Sequence, residues 1–163
     1  MRISISYAGI ISSVRNQLSI LAKRSVSRDG KGNYDMVSLS GIEGGELEDF
    51  VSQGVSSCVS EMTECVDVVE YSSPTGVELE VNPMRGFTNK VGNDGFEDSF
   101  AEAFRGYVVT HVLYEYLSLV QSPVAQKFMT DLALKLRTLK GLVFVKGEPS
   151  VSKDYGDITG RLS

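Results

Sequence analysis

The sequence predicts a mainly α fold (α+β): about four helices packed around a small β-hairpin, followed by an extended C-terminal tail. Three observations lead there. Apolar residues recur every three or four positions over four stretches of chain. Between residues 66 and 81 that spacing shortens to two on either side of Ser72-Ser73-Pro74-Thr75-Gly76. Beyond Lys146 the composition turns to Gly, Ser, Lys and Asp around Pro149. The division is therefore a helical domain over residues 1–145, with its hairpin near 66–81, and a tail or arm over 146–163.

In chain order, Tyr7, Ile10, Ile11, Val14, Leu18 and Leu21 form a helical stripe that ends near Lys23, with Ser6 placed to cap its start. Arg24 to Asn33 is polar, and Asp29-Gly30-Lys31-Gly32-Asn33 reads as a flexible loop. Met36 to Ser40 is a short extended candidate. Leu47, Phe50, Val51, Val55, Cys58, Val59, Met62 and Val66 make the cleanest helical pattern. Glu46, Glu48 and Asp49 stand in its first turn, where the helix dipole favours negative charge. The serines on its outer face are weak helix formers, so this helix depends on tertiary packing.

Val66, Val68, Val69 and Tyr71 before the turn, and Val77, Leu79 and Val81 after it, read as a hairpin with Glu78 and Glu80 pointing outward. Met84 to Gly95 is a polar loop, long for a passive connector. From Phe96 to about Gln121 the chain is helical and apolar over more than one face, so it packs on several neighbours or on a neighbouring subunit. Ser122-Pro123 restarts a last helix that carries Val124, Phe128, Leu132, Leu136 and Leu139 to about Lys140. Gly141 is a candidate stop. Leu142 to Val145 reads equally as a further helical turn or a short strand.

The 163 residues are enough for one domain that buries roughly two-thirds of its unfolded surface. A net charge of −5 argues against the basic face that sequence-independent nucleic-acid binding needs. No run approaches the ~18 apolar residues of a membrane span, and the first residues lack the pattern of a signal peptide. Cys58 and Cys65, if both helical, would lie about 10 Å apart along one face, too far for a mutual disulfide. Buried thiols in a cytosolic setting are expected.

Catalytic patterns are sparse. His111 is the single histidine, and two cysteines seven residues apart do not complete a zinc set with it. A buried structural role is expected; a general base would need a nucleophile that no spacing supplies. Gly41-Ile42-Glu43-Gly44-Gly45 precedes a helix but lacks a Lys-Ser/Thr, and the acids that follow would repel phosphate. Glu78 and Glu80 share a strand face that could hold a hard cation, although a solvated face is the simpler reading. No cofactor, metal or catalytic residue is assigned. In the tail, Val151, Tyr155, Ile158 and Leu162 fall at spacings of four, three and four. Such a stripe suits a partner's groove, as a helix or an extended arm; the alternative is a frayed end.

Phe104-Arg105-Gly106-Tyr107-Val108-Val109 through Leu113-Tyr114-Glu115-Tyr116-Leu117 resembles the long helix of tailed-bacteriophage head–tail connector (adaptor, or head-completion) proteins. The Ser122-Pro123 restart and the helix to Lys140 resemble their return helix. The likeness spans residues 45–146 and rests on the order of elements. It implies a non-catalytic virion subunit, made in the bacterial host cytoplasm. It further implies a homo-oligomeric ring of about twelve copies that joins portal and tail proteins. DNA would pass through the ring without specific binding, and no membrane is involved. Ring subunits need broad apolar faces, which makes Phe96, Phe100, Phe104 and Tyr107 the interface candidates. The rival readings are a bacterial soluble protein-binding adaptor or regulatory module without catalysis, and an enzyme using His111 with nearby carboxylates.

Overall fold

In a computed structural model of the chain, the described residues are 1–24, 44–72, 75–82, 95–120 and 122–144. They form four helices and a three-stranded antiparallel sheet, a mainly α architecture as the periodicity predicts. In order these are β1 (Arg2–Ser6), α1 (Tyr7–Arg24), α2 (Gly44–Ser60), β2 (Val66–Ser72), β3 (Gly76–Val81), α3 (Phe96–Leu119) and α4 (Ala125–Val143). The extended candidate at Met36 to Ser40, the loop at 29–33 and the whole tail fall outside the described residues.

The hairpin is present, and it gains a strand that the sequence reading did not include. β1 lies on the far side of β3, giving the order β1-β3-β2. Its register pairs Ile3 with Leu79 and Ile5 with Val77. Those four side chains are buried and share the inner face, while Arg2, Ser4 and Ser6 stay outside. β1 runs straight into α1, and the Ser6 hydroxyl accepts a hydrogen bond from the Gly9 N–H at 2.8 Å, the expected N-cap.

α3 is the hub. It packs against α4, α2, α1 and β1, which is why its apolar residues cover so wide an arc. Phe96, Phe100 and Phe104 recur at i, i+4 and stack in a row with centroids 6.1 and 6.0 Å apart. Val108, Val112, Leu113 and Leu117 continue the buried surface. Facing them are Val51, Val55 and Cys58 of α2 and Leu139 and Val143 of α4. The Tyr107 hydroxyl meets Ser57 Oγ at 3.1 Å and ties α3 to α2.

α2 ends at Ser60, and the Val66 expected at its end instead opens β2. Met62 N–H to Val59 O and Cys65 N–H to Met62 O form the turns between them. α4 begins two residues beyond the expected first helical residue, Pro123: Ser122 Oγ accepts from the Val124 N–H at 3.4 Å, and regular helix starts at Ala125. At its other end the helix continues through Gly141, because Leu139 and Val143 are both fully buried one turn apart. The helical alternative for residues 142–143 is thus the one realised.

Candidate functional site

The outer face of the sheet gathers charge. Asp67 sits opposite Glu80, and Glu70 opposite Glu78. Four carboxylates therefore share one face, with like charges directly across the strand pair, an arrangement that opposes pairing. Two of them are answered from β1. The Met1 amine contacts Glu80 Oε1 at 2.9 Å, and Arg2 lies 3.3 Å from Glu78 and 3.6 Å from Glu80. The amine's hydrogen bond holds the Glu80 carboxyl below its usual range, with Arg2 adding to the effect. Among the described residues no cation faces Asp67 or Glu70. Glu78 and Glu80 are thus held by an arginine and an amine rather than aimed at a cation site.

Asp67 and Glu70 are three apart, so in a regular strand they would point to opposite faces. A bulge at Val69, between the Val68 and Glu70 pairs, brings both to the outer face. β2 is an edge strand, and Val68 and Val69 remain 41% and 46% exposed. Val68 pairs with Leu79, so it faces the core side of the sheet at a point where the core no longer covers it.

His111 lies where α3 crosses α2. An alanine Cβ at Gly54 would stand 3.2 to 3.3 Å from its ring, so the glycine makes room for the imidazole. Among the described residues its buried Nδ1 has no partner at full hydrogen-bond distance and angle, although the Phe50 backbone lies close enough to act on the ring, and its Nε2 is 3.8 Å from Glu115 Oε1. Burial pushes the imidazole pKa below its ordinary value, against the smaller opposing pull of Glu115 and of the Phe50 backbone. A group with a depressed folded pKa supports the fold above its unfolded pKa and loses that support as pH falls through the folded value. Stability should therefore drop as pH is lowered below about 6.5. Because His111 is the only histidine, His111→Gln should flatten the urea-midpoint profile between about pH 7 and 5. A profile unchanged by the substitution would contradict this burial.

Cys58 and Cys65 are both buried and form no disulfide. Cys65 lies past the end of α2, so the helical spacing expected between the two does not apply. Burial, with Glu61 nearby, pushes the Cys58 thiol up to about 12. Native chain should leave Cys58 unmodified by a thiol reagent at pH 8, and urea should release it; fast native modification would refute the placement. Open clefts lie at the surface among the described residues. One of about 430 Å³ is lined by Ser4, Ser6, Glu70, Thr75 and Glu78. Another, about 400 Å³, is lined by Ser99, Glu102, Gly106, Lys135 and Thr138. Among the described residues no three His, Cys, Asp or Glu side chains come together as a metal set, and no helix is long and apolar enough to cross a membrane.

The expected ring-interface residues need correction. Phe100 and Phe104 are fully buried in the chain's own core, and Phe96 and Tyr107 are 8% and 5% exposed. Among the described residues, the arc they form is covered by the chain's own elements. The expected arm residues Val151, Tyr155, Ile158 and Leu162 lie outside the described residues. What the sequence reading passed over is the Asp67–Glu70 edge; the adjacent pair Val68-Val69, which breaks the period of two, was its signal.

No family model, no curated protein and no solved structure matches this chain.

Proposed function

We propose that this chain is a non-catalytic assembly subunit that docks onto other proteins and, more specifically, a subunit of a phage head–tail connector ring joining portal to tail around the DNA channel. The observation that carries the docking class is the edge of β2, which pairs with no further strand among the described residues and carries two exposed apolar side chains. Such an edge is a ready template for another chain. The connector assignment rests on the order of elements: a long helix, a Ser122-Pro123 restart, a return helix packed on it, and a small sheet.

With the aromatic face of α3 used internally, ring contacts fall to exposed apolar side chains outside the core. Leu119 at the end of α3 and Met129 and Leu134 on α4 are each at least half exposed. The net negative charge suits a channel through which DNA slides without sticking. The tail over residues 146–163 serves in this reading as an arm onto portal or tail protein.

Negative-stain imaging of the purified chain, alone and mixed with the portal protein of the same genome, tests the reading. Closed rings are the expected result. Removing residues 147–163 should weaken capture by the partner while leaving the helical spectrum intact. Particles of monomer size under both conditions would overturn the connector assignment.

A further inference from the structure

We infer that the outer edge of β2 accepts an extended, basic segment of a protein partner as a fourth strand, and that it rejects a second copy of this chain. The inference deepens the docking reading above by naming the partner's chemistry.

Three observations converge on it. The edge is open among the described residues, since β2 is terminal in the order β1-β3-β2. At its middle stand Val68 and Val69, both exposed. Bracketing them, Asp67 and Glu70 face no cation among the described residues, and the bulge sets both on one face. An incoming strand thus meets apolar side chains at its centre and a carboxylate to each side. Strand addition supplies affinity through main-chain hydrogen bonds and specificity through the side chains alongside.

The charge pattern selects the occupant. If two copies paired antiparallel about Val68 and Val69, Asp67 of one would meet Glu70 of the other, at both ends of the pairing. Like charges directly opposite one another disfavour that union. Lysine or arginine at the corresponding positions of a partner strand would instead be attracted, and Glu78 and Glu80 on the next strand extend the negative field. A nucleic acid is repelled for the same reason.

The probe is a seven-residue peptide alternating lysine and valine, with a glutamate–valine peptide as its counterpart, read by fluorescence anisotropy against the full chain. The lysine peptide is expected to bind, more weakly as salt rises, and the glutamate peptide is not. The double variant Asp67→Lys/Glu70→Lys, both sites exposed, should weaken the lysine peptide by about tenfold and admit the glutamate peptide. Asp67→Asn/Glu70→Gln should remove most of the salt dependence. Reversing a charge elsewhere, Asp131→Lys on α4, should change neither affinity. Equal binding of both peptides, binding of neither, or an equal loss with Asp131→Lys would overturn the inference. So would a dimer of the native chain that the double variant abolishes. Ring assembly is scored separately: if the native chain forms rings but the peptides are not discriminated, this inference falls and the connector reading stands. Charge-selective binding without rings is the reverse case.

Discussion

Replacing Gly76 with alanine is expected to lower the melting temperature by about 6–12 °C, the largest effect of any single methyl added to the described residues. Gly76 opens β3 with φ +132°, a backbone region that side chains avoid. A Cβ there would overlap the Ile5 carbonyl oxygen and stand 3.0 Å from the Tyr7 nitrogen. All of these are backbone atoms, so no rotamer relieves the overlap. β1 has to move away from β3 at the point where Ser6 pairs with Gly76, or the chain has to change course into α1. Strain of this kind costs about 1–3 kcal/mol before the overlap is added. A total near 3 kcal/mol or more corresponds to about 6–12 °C in a chain of this size. Thermal melting followed by circular dichroism checks it; a shift below about 2 °C would mean that β1 is not seated against Gly76.

Phe104→Ala is the second. Its ring is fully buried and stacks on Phe100, so truncation should destabilise the chain by about 3–5 kcal/mol. The important part is where the loss shows. A core residue lowers the unfolding midpoint of the isolated chain at every protein concentration. An interface residue would leave the monomer's midpoint alone and weaken assembly. Urea denaturation of native and Phe104→Ala chains at two concentrations separates them, and an unchanged midpoint would restore the face of α3 as a ring contact.

That distinction marks how far the sequence could be read. The width of the apolar arc on α3 required a cover, and periodicity established that much. It could not say whether α1, α2 and α4 or a second subunit provided the cover, because helix packing is not encoded in one helix. α1 and its Ser6 cap were legible because both are local. β1 was not, although Arg2-Ile3-Ser4-Ile5-Ser6 alternates cleanly. Five residues are a weak signal, and Ile3 and Ile5 become buried only through pairing with β3, more than seventy positions away.

The end of α4 shows a different failure. Gly141 is a reasonable stop by propensity, but burial of Val143 overrides it. The candidate site was hardest of all. Val66, Val68, Val69 and Tyr71 read as one hydrophobic side of a strand. Only the bulge reveals that Asp67 and Glu70 face the same way and that Val68 reaches past the edge of the core. A one-residue irregularity in pairing changes which side chains a partner meets, and its one trace in the sequence is the adjacent pair Val68-Val69, which interrupts the period of two without saying which side chain moves.

In the proposed role this chain works by assembling with other copies and other proteins. The most direct test of that role is the native mass of the purified chain across a wide concentration range, measured by mass spectrometry from volatile buffer. A closed ring predicts a discrete species at a fixed multiple of the 17.8 kDa subunit, unchanged by dilution once formed. A single 17.8 kDa species at every concentration, with and without the portal protein, would contradict it.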